Sequence, residues 1–394
     1  MRVPRGVRQL LAAQVASQVG DAAFSVLLLW SVLGRTESKA VLGLVAMANY
    51  LPILIFGMAG GLAADRLPRK SLMVASDAVR GCVALSLPLL DLFHLLNPWI
   101  LGAAGFALFT ASAFFNPARD AAIPSLVDRG DLVQANAVVQ VSVPLGWLLG
   151  PALCSFFLGW VPTERLFAGV GALFFASVLF LLGLPRLRPE GRGSAPVRRA
   201  LFQGLRAAWG DVRLRWLLVL TAVDNLFIMG PAIVGTPLLV KGVLGGTGSD
   251  YALMEAALAV GVFAGLPLTP WLNRRLGQGW TLILGIFLDG LTYLPLLWVR
   301  SVGAAGVAIA LHGVSIPLIT VTRTSLVQRI APPEQLGRIF ALIGMTVLGL
   351  SALSSGLTGA VATGTPVNVI FGVIAVLAAL CGPAAALSRE FREA

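Results

Sequence analysis

The stretch NPARDAAIPSLVDRGDLVQANAVVQ, which begins at Asn116, has a counterpart in TRTSLVQRIAPPEQLGRIFALIG, which begins at Thr322. Within these stretches Arg119 aligns with Arg323, 204 residues later. Each stretch joins one long apolar run to the next. Self-similarity at this separation predicts a chain built from two homologous helical halves, which is the sequence plan of a transporter.

The composition is that of a protein that lies mostly within a membrane. The chain is 57% hydrophobic and only 12% charged, whereas soluble domains are about 25% charged, and its mean hydropathy is +0.87. We find twelve apolar runs of at least about 18 residues, each long enough to cross a hydrocarbon core of about 30 Å. They lie near residues 9–33, 40–63, 71–92, 98–118, 131–158, 164–184, 214–240, 250–272, 278–298, 302–322, 334–362 and 366–387.

These runs predict an all-α membrane protein with twelve transmembrane helices in two pseudo-symmetric six-helix bundles. The N-terminal bundle is predicted over residues 1–184, a cytoplasmic basic linker over 185–213, and the C-terminal bundle over 214–394. The linker becomes amphipathic from Val197 to Trp209. That part either lies along the inner membrane surface or belongs to a flexible tether between two rigid bodies.

The net charge of +11 is explained by topology and not by nucleic-acid binding. In the predicted arrangement, 24 of the 29 lysines and arginines lie on one side of the membrane. Because cytoplasmic loops carry an excess of basic residues, both termini are predicted to be cytoplasmic, in a bacterial-type inner membrane. The five basic residues on the opposite side are Arg35, Lys39, Arg165, Lys241 and Arg300.

The chain lacks the residue patterns of metal and catalytic sites. It has two histidines and three cysteines, and all three cysteines fall within apolar runs. We recognise no nucleophile–base pair, metal-ligand spacing or phosphate-binding loop, so we predict neither an enzyme nor a cofactor. A membrane-embedded enzyme or sensor is the remote alternative, which hydrolysis of a lipid by the purified protein would support.

Polar side chains interrupt the first and the seventh apolar runs. Gln14, Gln18 and Asp21 recur at helical spacing on one face of the first helix, and Asp224 and Asn225 lie in the seventh. A charge at the bilayer centre costs about 2.5–3.5 kcal/mol, so we expect both helices to line a central cavity. The two aspartates carry protons, bind a cationic substrate or have a structural role with basic or hydroxyl partners; the sequence leaves these roles open.

Other residues within the apolar runs predict contacts and bends. Asp77 and Arg80 are three residues apart, which predicts that they pair on one helix face, whereas Asp289 has no evident partner. Pro231 and Pro237 predict bends in the seventh helix.

Large side chains complete the predicted cavity. Aromatic residues and methionine suit large apolar ligands of variable shape. The alternative is that such side chains face lipid or pack against neighbouring helices. The candidates are Trp30, Phe106, Phe109, Met229 and His312.

The loop after the second apolar run reads GGLAADRLPRK and begins at Gly60. It resembles the signature loop of the major facilitator superfamily, G-x-x-x-D-x-x-G-R-[RK], except that Pro68 replaces a glycine. The resemblance implies the major facilitator fold and a conformational latch that favours one global state. An ordinary cytoplasmic turn is the alternative. The residues of the predicted latch are Gly61, Asp65, Arg66, Arg69, Lys70, Arg119 and Arg323.

Two further motifs narrow the resemblance. The segment after Asn116 resembles one branch of the superfamily, which contains macrolide and other drug exporters, enterobactin-type siderophore exporters and lysophospholipid transporters. The residues that carry this resemblance are Pro117, Ala118, Arg119, Pro124, Leu132, Asn136 and Gln140. The segment GWLLGPALCS resembles the exporters' element G-x-x-x-G-P-x-x-G-G, without its final glycines. Close helix packing alone is the alternative explanation of its residues Gly146, Gly150 and Pro151.

We therefore expect a secondary active transporter that exports amphipathic small molecules, drug- or siderophore-like, by alternating access and proton antiport. The expected partners are the small amphipathic substrate, protons and the lipid bilayer, and the chain is expected to act as a monomer. The alternative is a lysophospholipid transporter of the inner membrane, which would need a lateral opening to lipid and no proton.

Overall fold

The computed structural model describes residues 4–128, 131–185, 187, 205, 209–332 and 335–393, and the regular elements found in these residues are helices. Twelve of them are long and apolar enough to cross a membrane, which confirms the predicted all-α, twelve-span architecture. We number them α1 Arg5–Arg35, α2 Lys39–Arg66, α3 Arg69–Leu92, α4 Pro98–Ser125, α5 Gln134–Leu158, α6 Thr163–Leu182, α7 Val212–Val243, α8 Gly248–Leu276, α9 Gln278–Leu297, α10 Val302–Ile330, α11 Leu336–Val361 and α12 Val367–Ala385.

Contacts divide the chain into two compact units. The first unit comprises Met1–Glu37 and Ala48–Ser194, and the second comprises Ser38–Met47 and Ala195–Ala394. The start of α2 therefore groups with the second unit, although the sequence assigns it to the N-terminal bundle over residues 1–184.

The predicted linker over residues 185–213 lies mostly outside the described residues, as does its amphipathic segment Val197–Trp209. At its end, the Asp211 carboxylate accepts hydrogen bonds from the backbone N–H groups of Arg213 and Leu214, and so caps the first turn of α7. The side-chain hydrogen bond from Arg213 lowers the pKa of the Asp211 carboxyl below its usual value. The cap is thus negatively charged at neutral pH, which suits the positive end of the helix dipole.

In the first unit, α1 packs against α5 and α6, and α3 packs against α4 and α6. One arginine ties the ends of three of these helices together. Arg35, at the end of α1, places Nη1 2.5 Å from Glu164 Oε1 of α6 and Nη2 2.5 Å from Asp91 Oδ1 of α3. Ser31, one turn earlier, accepts a further hydrogen bond from Arg35. The guanidinium is only 22% exposed, so this contact is better shielded from water than an ordinary surface ion pair.

We predict that Arg35→Ala destabilises the first unit by about 1–3 kcal/mol, because two carboxylates lose a charged hydrogen-bond donor. Thermal unfolding of the purified protein in detergent measures the effect. Arg165→Ala is the matched control, since it removes the same charge from an exposed residue one position after Glu164. Equal melting temperatures of the two variants would contradict the prediction.

In the second unit, α8 packs against α10, α9 packs against α10 and α12, and α7 packs against α11. The helix α7 is irregular, with π-helical turns over Pro231–Gly235 and Leu239–Val243. These turns lie at the two prolines that predicted bends, Pro231 and Pro237. π-Helical turns inside α-helices are uncommon and frequently lie at functional sites.

A serine of α11 enters the backbone of α7 immediately before the first π-helical turn. The Ser354 hydroxyl accepts from the Gly230 N–H at 2.8 Å and donates to the Leu226 carbonyl oxygen at 2.6 Å. In a regular α-helix these two backbone groups would bond to each other. A Cβ atom on Gly230 would collide with the Ser354 carbonyl, so the close approach requires glycine. The hydroxyl thereby opens the hydrogen-bond ladder of α7 while satisfying both freed groups.

We predict that Ser354→Ala destabilises the second unit by about 1–3 kcal/mol, because buried backbone groups lose their partner. Amide hydrogen exchange at Gly230 should become faster, and thermal unfolding should move to lower temperature. Ser355→Ala provides the control, since that buried hydroxyl donates only to Ser351 of its own helix. Unchanged exchange at Gly230 would count against the inserted hydroxyl as a stabilising element.

Candidate functional site

A buried arginine centres a polar cluster inside the first unit. The Arg80 guanidinium contacts the carboxylates of both Asp21 and Asp77, with Nη1 2.5 Å from Asp77 Oδ1. Nη1 also donates to Ser17 Oγ at 2.8 Å. We call these four residues the Arg80 cluster. The predicted pairing of Asp77 with Arg80 is present, and Asp21 of α1 joins it.

The Arg80 cluster is shielded by aromatic side chains. Arg80 is 1% exposed, and its guanidinium carbon lies 4.4 Å from the ring centre of Phe174 and 5.5 Å from that of Phe115. The faces of aromatic rings attract cations, most strongly where water is excluded. The surroundings therefore stabilise the arginine as a cation, and the cation in turn compensates the carboxylates on α1 and α3.

We predict that Arg80→Gln destabilises the first unit by about 3–5 kcal/mol, because removing one partner leaves buried charge uncompensated. Loss of folded protein in detergent, measured by thermal unfolding, reports this. The double variant Asp77→Asn/Arg80→Gln removes one of the abandoned carboxylates and should recover part of the lost stability. If Arg80→Gln had the melting temperature of the wild-type protein, the arginine would not be needed to compensate the carboxylates of Asp21 and Asp77.

The polar stripe of α1 does not line an open cavity throughout. Gln14 is fully buried, and its side-chain amide has no hydrogen-bond partner among the described residues. It is therefore inaccessible in this structure, and its role as a cavity residue stays a prediction. Gln18 is half-buried and Asp21 is partly exposed, with 20% of its side chain accessible.

The glycines of the exporter-like segment lie against the backbone of α1. A Cβ on Gly146 would lie 2.8 Å from the Gln18 carbonyl oxygen, and one on Gly150 would lie 2.8 Å from that of Val19. Both distances are shorter than a carbon atom tolerates, so the two glycines set the close approach of α5 to α1. Pro151 follows within the same helix and is also buried. The segment thus fixes the position of α1, which carries Ser17 and Asp21 of the Arg80 cluster.

Two basic residues of the predicted latch are bound within the first unit. Arg69 donates to Ser125 Oγ at 2.9 Å. Lys70 Nζ donates to the carbonyl oxygens of Leu182 and Leu184, at 2.7 and 2.6 Å, where α6 ends. A lysine in this position satisfies carbonyl groups that the helix end leaves free. These contacts favour the alternative for both residues, an ordered cytoplasmic turn.

Gly61 of the predicted latch makes no close packing contact, and its part in a latch stays a prediction. A Cβ on Gly61 would meet no atom within 4 Å, whereas one on Gly60 would collide with the Ala113 carbonyl of α4. The neighbouring glycine therefore makes the close approach, because successive residues point about 100° apart around a helix. In the described part of the chain, Asp65 and Arg66 make neither an ion pair nor a hydrogen bond.

The repeated arginines Arg119 and Arg323 have different surroundings. Arg119 donates to Asn116 at 3.2 Å and to Asp120 at 2.9 Å, both on its own helix. Within the described ranges, Arg323 makes no hydrogen bond or ion pair, and its charge acts on Asp224. The duplication therefore conserves the residue type at this position but not its contacts.

Four of the five predicted cavity side chains are partly exposed: Trp30, Phe106, Phe109 and Met229. Phe106 packs edge-to-face against Phe56, and Phe109 packs in the same way against Phe24. His312 is only 3% exposed, which favours the alternative that this side chain packs against neighbouring helices. It belongs instead to a second polar cluster.

The second cluster surrounds Asp289, for which the sequence indicated no partner. Ser315 Oγ of α10 lies 2.5 Å from Asp289 Oδ1, and His312 Nδ1 lies 3.4 Å from the same oxygen. The carboxyl groups of Asp289 and Asp224 share a hydrogen bond. We call these four residues the Asp289 cluster. It joins α7, α9 and α10 within the second unit.

The two clusters show that the duplication extends to contacts between helices. In each unit, an aspartate of the first helix lies near an aspartate of the third helix. Asp21 is linked to Asp77 through Arg80, and Asp224 lies next to Asp289. The compensation differs, because the structure describes no lysine or arginine paired with Asp224 or Asp289. The described residues of the second cluster therefore include no lysine or arginine that neutralises its carboxyl groups.

Other predicted and unpredicted polar residues lie beside these clusters. Asn225 turns away from Asp224 and accepts from Ser351 Oγ of α11 at 3.3 Å. Glu255 is a half-buried carboxyl in α8 without an ion pair or hydrogen bond among the described residues. Sequence reasoning missed it, although a lone acidic residue within an apolar run was the available signal. No described group of three or more histidine, cysteine or acidic residues could hold a metal ion.

Comparisons with known proteins agree with this architecture. The sequence matches the model of the Major Facilitator Superfamily over residues 10–353. Macrolide efflux protein A of Streptococcus pyogenes is 24% identical over 338 residues, which cover 84% of this chain and 83% of that protein. Enterobactin exporter EntS of Shigella boydii serotype 4 is 26% identical over 368 residues, covering 87% and 84%. The solved structure of a variant of the nucleoside transporter NupG aligns with a TM-score of 0.81 at 12% identity, over 97% of this chain and 99% of that one.

Proposed function

This chain belongs to the Major Facilitator Superfamily, and we propose that it exports amphipathic small molecules, drug- or siderophore-like, by proton antiport. The observation that carries the proposal is the Asp289 cluster, a carboxyl pair within membrane-spanning helices that no basic side chain is described to neutralise. Relatives that span more than four-fifths of the chain are named as efflux or export proteins, which supports the outward direction.

The partly exposed apolar side chains support a substrate with large apolar surfaces. Aromatic rings and the flexible thioether of methionine adapt to ligands of different shapes. Trp30, Phe106 and Phe109 in the first unit and Met229 in the second have the required chemistry and remain accessible. Alternating access would then arise from movement of one unit relative to the other.

The charge distribution supports an orientation with both termini in the cytoplasm of a bacterial-type inner membrane. The proposed partners are the small substrate, protons and the surrounding lipids. Because one chain holds both halves of the fold, a monomer contains all that this mechanism needs.

We predict that inside-out vesicles containing the protein accumulate a drug- or siderophore-like compound when their interior is made acidic. Outward proton movement then drives the substrate inward, which corresponds to export from a cell. The measurement compares macrolides, siderophores, cationic dyes and a fluorescent lysophospholipid, with and without a protonophore. Vesicles that lack the protein provide the control.

Two results would contradict the proposal. Movement of lysophospholipid that is indifferent to the gradient would assign the chain to lipid transport. Accumulation only when the proton gradient is reversed would assign it to proton-coupled uptake.

A further inference from the structure

We propose that Asp289, which contacts Ser315 and His312, binds and releases the coupling proton in the second unit. The inference rests on the proposed antiport, because a proton bound here drives export only in an antiporter. The sequence singled out Asp21 and Asp224 as equivalent candidates, and the structure distinguishes them.

The hydrogen-bond geometry around Ser315 favours a proton on Asp289. Ser315 Oγ lies 2.5 Å from Asp289 Oδ1 and also 2.5 Å from the His312 carbonyl oxygen. A hydroxyl has a single hydrogen and can donate to only one of these oxygens. The carbonyl of His312 cannot donate, so a protonated Asp289 donates to Ser315 while Ser315 donates to the carbonyl. This arrangement satisfies both short contacts.

The proximity of the two carboxyl groups favours a proton as well. Two ionised carboxylates are acceptors only and repel each other, so one bound proton allows a hydrogen bond between them. Asp224 Oδ1 is buried without a hydrogen-bond partner among the described residues. Nothing described at that oxygen compensates a negative charge, so full ionisation of the pair would leave two charges inside the membrane-spanning region.

Besides the pair itself, the titratable and charged groups that interact with it come from three helices. They are Tyr293 of α9, His312 and Arg323 of α10, and Cys381 of α12. The only permanent cation among them, Arg323, acts on Asp224 from a distance and forms no ion pair among the described residues. The pair with one bound proton therefore carries one negative charge opposite one positive charge. Release of the proton breaks this balance.

Asp21 lacks these properties. It pairs with Arg80, a buried cation that also pairs with Asp77 and is covered by two aromatic rings. A permanent partner of this kind compensates a carboxylate without any proton. Asp21 is therefore a structural residue of the first unit, and Asp21→Asn is expected to retain proton-driven transport.

Asp289→Asn tests the proposal, because an amide can donate a hydrogen bond as the protonated acid does but cannot release a proton. In the vesicle assay, we expect gradient-driven accumulation to fall to the level seen without a gradient. Exchange of labelled for unlabelled substrate, which needs no net proton movement, should persist. Glu255→Gln is the matched control, since it neutralises another membrane-embedded carboxyl of the same unit and should keep gradient-driven accumulation.

Infrared difference spectroscopy separates the proton site from the transport assignment, because it requires no substrate. Near neutral pH the wild-type protein should show a carboxylic-acid C=O stretch that shifts in D₂O and is absent from Asp289→Asn. Ser315→Ala, which keeps the carboxyl, should shift this band to higher frequency through loss of a hydrogen bond. These readouts stay informative if Asp289→Asn is poorly folded or if the substrate panel contains no transported compound.

The outcomes are distinct. Gradient-driven accumulation by Asp289→Asn, or an infrared band that neither variant changes, would overturn the inference. Loss of coupling in Glu255→Gln but not in Asp289→Asn would also overturn it and would move the proton to α8. If the band behaves as expected but the wild-type protein moves no substrate with the gradient, the proton site stands and the proposed antiport fails.

Discussion

A charge within a membrane-spanning helix must be compensated, and this constraint determines where the helices of each unit meet. In the first unit, Arg80 compensates carboxylates on two helices and so joins α1 to α3. In the second unit, no such cation pairs with the corresponding helices in the part of the chain that the structure describes. The carboxyl groups of Asp224 and Asp289 contact each other instead, with Ser315 as a neutral partner. Compensation by a permanent ion is rigid, whereas compensation by a proton is reversible.

The two units therefore differ in chemistry although they share an origin in sequence. Gly146 and Gly150 hold α1 against α5 at a distance that excludes any larger side chain, which fixes the ion cluster in place. In the second unit, the first helix is not continuous: Ser354 opens α7 between Leu226 and Gly230. One half is thus suited to stay fixed and the other to respond to a change of charge.

Hydropathy predicted the twelve spans because a membrane imposes a length and a polarity on each helix. Local spacing also predicted the pairing of Asp77 with Arg80, since residues three apart share a helix face. The partners of Asp289 could not be predicted in this way, because they lie on helices more than 20 and more than 60 residues away in the chain. The glycine that approaches α4 could not be identified for a related reason: the sequence places Gly60 and Gly61 together, and only helix packing decides which of them faces α4.

The broken ladder in α7 gives proton release at Asp289 a structural consequence. Without the proton, two negative carboxylates would lie side by side in a medium of low polarity, where like charges repel strongly. Separation of α7 from α9 relieves this repulsion at the lowest cost if α7 can bend close to Asp224. The Leu226–Gly230 hydrogen bond is already replaced by Ser354, and a π-helical turn follows directly, so bending there costs less than in a regular helix. Asp224, the partner of Asp289 on α7, is thus two to six residues from the flexible point of the same helix, which is the arrangement that a coupling element requires.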